Sequence, residues 1–233
     1  MKLKIYSYLT VLLAVFMAGC EYDNYEPPKS TLTGQIVHNG EPIGVRSNAV
    51  RLELRQPGPE YPLWKTTPIN INIAQDGTFS AVLFDGNYKL TRVRGNGPWA
   101  DQNDTINVEV RGSSMVEVPV DPFFIIKNAA IKKGTSTIDA TFNLQQVNTT
   151  RQLERVNLYV SSTNIVDATN QRASAQKVAA DINGLNAPVT LSVNISSLPA
   201  AVAGKQYVFA RVGVKTVGIQ ELAYSAPIKI QLK

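Results

Sequence analysis

Apolar and polar residues alternate with a period of two along most of this chain, and this pattern limits the possible folds most strongly. Val50, Leu52 and Leu54 are interleaved with charged residues, and similar alternation recurs in both halves of the sequence. Successive side chains of a strand point to opposite faces of its sheet, so a period of two with one apolar face indicates a half-buried strand. No window in the first half has a competing helical period. The sequence therefore predicts an all-β protein.

The predicted strands fall into two groups. About seven short strands separated by turn residues occupy residues 31–121, which is typical of a Greek-key sandwich. The last alternating strand ends near Val120. Pro122 follows it, and a new apolar run begins after this proline. We place a domain boundary there and predict a second antiparallel β-sandwich over residues 122–233. Residues 170–180 lack a clean period of two and fit an irregular strand, a loop or one helical turn.

The first residues have the organisation of an export signal that ends in a modified cysteine. Residues 1–19 begin with two lysines, continue with an apolar span and end on small residues, as in a secretory signal peptide. The apolar span is shorter than the about 20 residues that a membrane-crossing helix needs. Met17-Ala18-Gly19-Cys20 resembles the lipobox of bacterial lipoproteins, whose cysteine is acylated and becomes the new N-terminus. Cys20 is the only cysteine, so it has no partner for an internal disulfide, and a free thiol is the alternative.

The segment behind the cysteine is polar and predicts a tether. Residues 20–30 contain Pro27-Pro28, which favours an extended spacer between a membrane and a fold. The nearby acids Glu21, Asp23 and Glu26 resemble the signal that sends many Bacteroidota-type lipoproteins to the cell surface. The expected location is therefore the outer membrane, lipid-anchored at its surface, with the periplasmic face as the alternative.

The charge of the chain does not indicate a nucleic-acid partner. Lys2 and Lys4 leave with the signal peptide, so the mature chain keeps 21 of its 23 Lys and Arg residues against 18 Asp and Glu, a net charge of +3. A nucleic-acid interface usually shows a dense basic stripe with interleaved aromatic residues, and this sequence has none. We therefore predict no nucleic-acid binding.

Two segments of the first half resemble a known sandwich type. The stretch 34–37 and the stretch 76–90, with its turns at Asp76-Gly77 and Asp85-Gly86, look like transthyretin-like, carboxypeptidase-regulatory-like domains. The resemblance covers residues 31–121, implies that Phe79 and Leu83 point into the core, and specifies a fold without an activity.

The end of the chain resembles a different module. Residues 196–214, with a Leu-Pro turn before a tyrosine, and the closing Ser-x-Pro before the last strand are similar to a fibronectin type III domain. The resemblance implies an immunoglobulin-like sandwich over residues 122–233. It also implies a tyrosine corner, in which the hydroxyl of Tyr207 bonds to the backbone near Leu198.

The whole chain resembles an uncharacterised family of Bacteroidota surface lipoproteins. The combination that carries this resemblance is the lipobox, the polar spacer, the transthyretin-like domain and the immunoglobulin-like domain. Such proteins are typically encoded beside the transporter and lid lipoprotein of starch-utilisation-system type. The resemblance implies participation in glycan capture, but it carries over no catalytic or binding residues.

The sequence lacks the residue sets of the common catalytic and metal sites. His38 is the only histidine and Cys20 is committed to lipid, so the usual zinc ligands are missing. A serine nucleophile would need a base, and neither a Gly-x-Ser-x-Gly elbow nor a second histidine is present. Paired carboxylates could be assembled from distant strands, but the acids fall mainly on turns and polar strand faces. We therefore predict a protein that is not an enzyme and has no metal or cofactor.

Two turn-rich loops carry the residues best suited to bind sugar. Sugar rings stack on exposed aromatic side chains, while amides and carboxylates bind the hydroxyls. The predicted glycan-binding residues are Tyr61 and Trp64 in the first loop and Trp99, Asp101, Gln102 and Asn103 in the second. The alternative is that each tryptophan caps the open end of a sandwich and is mostly buried.

These features together predict a non-catalytic outer-membrane lipoprotein that is accessory to polysaccharide capture and uptake. Its expected partners are the membrane through Cys20, a polysaccharide, and the transporter with its lid lipoprotein. A protein-interaction or adhesion scaffold without glycan contact is the alternative, and a glycan-active enzyme is the less favoured one.

Overall fold

The computed structural model describes residues 26–58, 67–185 and 187–233, which form two β-sandwich domains in tandem. The predicted all-β fold is confirmed. Eight strands build the first sandwich: β1 (Ser30–His38), β2 (Glu41–Pro42), β3 (Arg51–Arg55), β4 (Ile69–Asn72), β5 (Thr78–Leu83), β6 (Gly86–Arg92), β7 (Ile106–Val110) and β8 (Ser113–Pro119).

The strands of the first sandwich form two four-stranded sheets. In one sheet β1 pairs antiparallel with β2 and β5 and parallel with β8. The other sheet has the strand order β4-β3-β6-β7. The inward faces carry the apolar residues of the alternating pattern, so Leu52 and Leu54 are fully buried while their polar neighbours face outward. Phe79 and Leu83 also point inward, as expected.

Two tight turns frame β5 and β6 in the first sandwich. Gly77 has φ +84°, a left-handed conformation that glycine adopts without strain, and it starts the chain back along β5. After the next turn, the hydroxyl of the buried Tyr88 donates a hydrogen bond of 2.9 Å to the carbonyl of Phe84. A tyrosine hydroxyl bonded to backbone a few residues upstream is the geometry of a tyrosine corner.

The second sandwich contains eight strands in two sheets. They are β9 (Phe124–Lys133), β10 (Thr137–Gln146), β11 (Leu153–Ser161), β12 (Ala173–Val178), β13 (Val189–Asn194), β14 (Tyr207–Thr216), β15 (Ala223–Tyr224) and β16 (Ile228–Gln231), with a short helix α1 (Ala200–Ala203) before β14. One sheet has the order β13-β10-β9. In the other, β12-β11-β14-β15, strand β16 also pairs with β14. The core between them includes Phe142, Leu158 and Val212.

Two details of the second sandwich settle or correct the expectations from sequence. The ambiguous residues 170–180 contain the strand β12 followed by a 3₁₀ turn, Ala179–Asp181.

The expected tyrosine corner at Tyr207 is wrong. That side chain is 38% exposed, packs edge-on against Phe209 and lies under the ammonium group of Lys229, 3.9 Å from the ring centroid. Its ring lies on the outer face of the sheet because the next residue, Val208, points into the core and successive residues of a strand point to opposite faces.

No helix within the described ranges is both long enough and apolar enough to cross a membrane.

The two tyrosines give a matched test of the corner. Tyr88→Phe is expected to lower the free energy of unfolding by about 0.5–1.5 kcal/mol, because the part-buried neutral hydrogen bond to the Phe84 carbonyl is lost. Tyr207→Phe removes a hydroxyl at an exposed position and is expected to leave that free energy unchanged. Urea denaturation of both variants measures the difference, and equal effects would contradict this assignment.

Candidate functional site

The loop that was predicted to bind glycan instead packs against the domain junction. Trp99 is only 5% exposed, and its ring lies directly on Gly97, where an added Cβ would come within 2.2 Å of the indole. The backbone on both sides pairs with the junction: Ala100 N donates to Asp121 O at 2.9 Å, and Phe123 N donates to Pro98 O at 3.2 Å. A ring with no free face cannot stack on a sugar, so the structure agrees with the capping alternative for Trp99.

Of the three predicted polar residues of this loop, Asp101 bonds within the loop itself. Asp101 accepts a 2.7 Å hydrogen bond from the backbone N–H of Gly95, and its other oxygen lies 3.6 Å from the guanidinium of Arg94. Asn103 is exposed, and Gln102 is partly buried with its side-chain oxygen lacking a hydrogen-bond partner among the described residues. The other predicted residues, Tyr61 and Trp64, and the lipidation residue Cys20 lie outside the described residues.

A buried arginine joins the two sandwiches. Arg211 of β14 is fully buried and reaches into the first domain, where its guanidinium donates to Gln75 O at 2.5 Å and to Val45 O at 3.1 Å. The same group donates to Val166 O at 3.3 Å and Ser225 O at 2.6 Å in the second domain. Four backbone carbonyls from both domains therefore share one cation.

Burial affects the ionisation of this arginine without removing its charge at neutral pH. Loss of hydration lowers the pKa of Arg211 to about 10, while the negative charges of nearby acidic groups oppose the shift. The guanidinium also lies over the ring of Tyr224, 4.5 Å from its centroid, which further stabilises the cation. The side chain thus remains a donor to all four carbonyls.

Further contacts close the junction around Arg211. The backbone N–H of Tyr224 donates to Gly44 O at 2.9 Å. Arg46 of the first domain makes two bonds, of 2.5 and 3.0 Å, to the buried carboxylate of Glu221 in the second. An arginine paired to one carboxylate through two parallel bonds has a fixed orientation, so the two domains meet in a defined register.

The loop between β11 and β12 is held in place by the same junction. The buried carboxylate of Asp167 accepts the backbone N–H groups of Thr169 and Asn170, each at 2.8 Å. The N–H of Ala168 donates to the hydroxyl of Tyr224 at 3.2 Å. Together with the Val166 carbonyl bound by Arg211, these bonds fix residues 162–172 as a wall beside the outer face of the sheet.

A polar groove runs along that outer face, with a volume of about 410 Å³. Alternate residues of a strand share a face, and the register of β11 and β12 places Asn157 opposite Gln176 and Tyr159 opposite Ser174. The main lining residues are Glu154, Arg155, Asn157, Tyr159, Ser174 and Gln176. The groove therefore combines side-chain amides, hydroxyls and one Arg–Glu pair on a rigid sheet.

Asn157 at the base of the groove has an unused acceptor. The residue is 5% exposed, and its amide N–H reaches Gln176 only at the long distance of 3.5 Å. Its side-chain oxygen is buried and has no hydrogen-bond partner among the described residues. An unsatisfied buried acceptor is costly, and each one in a folded protein calls for an explanation. Because this oxygen is closed to solvent, a ligand hydroxyl would reach it only when the side chain of Gln176 moves aside.

Tyr159 lies beside Asn157 on the same strand face. Burial raises the pKa of Tyr159 to about 12, so its hydroxyl stays protonated and can donate at neutral pH. Gly213 on the neighbouring strand makes room for this ring, because a Cβ at that position would lie 2.9 Å from Tyr159 and 3.0 Å from Tyr224. The groove can thus offer both donors and acceptors.

Within the described ranges, no three His, Cys, Asp or Glu side chains come together in an arrangement that could hold a metal ion. The acid of the groove, Glu154, bonds to Arg155. The arrangement is suited to hydrogen bonding of a polar ligand.

Comparison with family models assigns both halves of the chain. Residues 30–121 match the model described as "Protein of unknown function (DUF3823) N-terminal domain", and residues 124–229 match "Domain of unknown function (DUF3823_C)". The chain belongs to the DUF3823 family. No curated protein matches the sequence.

Solved structures include similar DUF3823 proteins. One from Bacteroides ovatus ATCC 8483 is 34% identical with a TM-score of 0.78, and one from Parabacteroides merdae ATCC 43184 is 31% identical with a TM-score of 0.79. A structure from Bacteroides uniformis ATCC 8492, described as a "putative carbohydrate binding protein", is 18% identical with a TM-score of 0.71 and shares the fold. Each match covers 88% of this chain and 100% of the other.

The groove residues of this DUF3823 chain were not among those predicted from sequence. Arg155, Asn157 and Tyr159 occupy the polar positions of a period-two strand, where solvent exposure is the ordinary expectation. One signal was available, since asparagine is depleted in strand interiors and stands here between Val156 and Leu158.

Arg211→Met is expected to lower the free energy of unfolding by about 3–5 kcal/mol, because four buried carbonyls lose a shared charged donor. Arg94→Met is the control, since the Arg94 side chain is 74% exposed. Guanidinium denaturation followed by fluorescence measures both, and separate transitions for the two domains are expected in Arg211→Met. A loss of stability no greater than that of Arg94→Met would contradict the role of Arg211.

Proposed function

We propose that this protein is a non-catalytic, lipid-anchored surface protein that binds saccharide in the groove formed by β11 and β12. The observation that carries the proposal is the unused acceptor of Asn157, buried at the base of a groove rich in amides and hydroxyls. Sugars present neighbouring hydroxyls that both donate and accept hydrogen bonds. A buried acceptor next to a protonated tyrosine hydroxyl complements such a pair.

The shape of the groove favours part of a long chain over a single small sugar. It is open to the surface along the sheet, and its rim residues Arg155 and Gln176 follow the strands. A small metabolite is usually enclosed on most sides, whereas an open groove on a rigid sheet can hold an internal segment of a polymer. The proposed ligand is therefore a neutral polysaccharide, held mainly by hydrogen bonds.

The comparisons support this proposal at the level of fold. A protein with the same two-domain architecture is described as a "putative carbohydrate binding protein", and at 18% identity the likeness extends to the fold alone. The proposed location rests on the lipobox at Cys20 and on the polar residues 20–30 that follow it. The proposed partners are a transporter and its lid lipoprotein, which such a surface protein would supply with captured glycan.

Saccharide binding is tested with a panel of immobilised polysaccharides. Wild-type protein is expected to bind at least one, and Asn157→Val or Gln176→Ala is expected to weaken that binding by about tenfold, the equivalent of one buried hydrogen bond. The control is Gln145→Ala, an exposed amide on β10 of the other sheet.

Asn157→Val also separates binding from folding. Because it removes a buried acceptor that has no partner, the variant is expected to unfold at the same or a higher urea concentration than wild type. Absence of binding across a broad panel, or equal binding by wild type and Asn157→Val, would refute the saccharide site and favour the scaffold alternative.

The anchor is tested separately with Cys20→Ser in the native host. Wild-type protein is expected to fractionate with the outer membrane and to incorporate labelled palmitate, because several acyl chains hold a protein firmly to a bilayer. The variant is expected to lose the label and the membrane association. Recovery of unlabelled wild-type protein from the soluble fraction would contradict the anchor.

A further inference from the structure

Exposed apolar side chains cluster where the chain enters the first sandwich. Phe84, Val82 and Met115 are 49%, 60% and 76% exposed, and none of them belongs to the groove or to the domain junction. We call these three residues the tether-end patch. Isolated exposed apolar residues are ordinary on protein surfaces, but several on one face of a sheet suggest a contact.

The strand register places the patch on one face. Thr31 of β1 pairs with Val82 on one side and Ser113 on the other, and Thr33 pairs with Ser80 and Met115. Leu32 between them is fully buried, so the threonines and their partners lie on the outer face of the sheet. The row through Thr31 and the row through Thr33 contain no charged residue. Phe84 directly follows the end of β5, next to the row through Thr31.

The charged groups at the end of the patch where the chain enters are already paired, whereas at the other end the exposed Glu117, two residues beyond Met115, has no ion-pair partner among the described residues. Lys29 lies 2.6 Å from Glu26, and Arg111 lies 2.6 Å from Glu109. The carboxylate of Asp85 is turned toward the protein, where it bonds to the hydroxyl of Ser30 and accepts the N–H of Gly112 at 3.1 Å. An occupant of this surface would therefore be held by apolar contact and not by attraction of opposite charges.

The position of the anchor identifies the occupant. Cys20 precedes Ser30 by ten residues, which span at most about 36 Å. Ser30 begins β1 at the patch, whereas His38 ends it beside the second sandwich, where Glu41 pairs with Lys127 at 2.8 Å. Nine residues of strand, about 30 Å, thus separate the two ends. Because the tether joins the fold at the patch end, an acylated Cys20 would keep that end within about 36 Å of the lipid, whereas the groove end lies a further strand length from the point of attachment.

We propose that the tether-end patch rests on the lipid bilayer, with Phe84, Val82 and Met115 inserted among the headgroups. This inference depends on the acyl anchor of the proposed function and not on saccharide binding. A weak apolar contact suffices, because attachment through Cys20 makes the contact intramolecular and raises its effective concentration. The orientation directs the second sandwich away from the membrane.

The test uses the full acylated chain reconstituted in phosphatidylcholine vesicles that contain spin-labelled lipid. Acylation blocks Cys20, the only native cysteine, so Val82→Cys or Met115→Cys can carry a single fluorescent label. The label is expected to be quenched at least about twofold more at these positions than in Thr190→Cys, an exposed site in the second sandwich. The quenching is expected to persist in high salt. Combined replacement of Val82, Phe84 and Met115 by serine is expected to abolish the quenching of a label at Ser113→Cys.

The possible results distinguish failure of the membrane contact from failure of the acyl anchor on which it depends. Protein that stays on the vesicles but shows equal quenching at all sites would overturn the membrane contact and leave the anchor intact. Protein that does not stay on the vesicles, with a reactive Cys20, would overturn both. Shielding of the label in native membranes but not in protein-free vesicles would assign the patch to a protein partner and also refute the proposal.

Discussion

The guanidinium of Arg211 is the interaction on which the arrangement of this molecule depends. Burying a cation without a carboxylate partner is costly, and four carbonyl oxygens offset that cost only if they are all held at the right distance. Two of those oxygens belong to each domain. The same side chain therefore sets the relation of the sandwiches and, through Val166, fixes the loop that walls the groove. The arrangement of the two domains and the position of the loop beside the groove therefore both depend on the buried charge of Arg211.

The fold class could be predicted from sequence because its signal is local. Alternation such as Val50, Leu52 and Leu54 reports on one strand at a time, and the structure confirms strands at these places. The pairing of strands is not local. The parallel contact of β1 with β8 joins residues about eighty positions apart, and nothing in either strand specifies that partner. The tyrosine corner shows the same limit, since Tyr88 and Tyr207 both stand at the start of strands and only one is buried.

The candidate site was harder to predict because burial there depends on distant chain segments. Trp99 stands among glycine, proline and acidic residues that suggest an exposed loop, yet the backbone near Pro122 covers it. Asn157 shows the converse, because a polar position on a strand became buried through Gln176 and the wall beside it. Arg211 also occupies an alternating strand, where its neighbours give no hint of a neutral carbonyl environment.

The paired bonds between Arg46 and Glu221 have a mechanical consequence if the protein is held at one end by the proposed anchor. Together with the four carbonyl bonds of Arg211 they resist bending at the junction, and the two sandwiches are expected to move as one body. The distance from Ser30 to the groove is then set by the strands and by the junction between the two sandwiches, and it stays nearly the same whichever way the protein is turned.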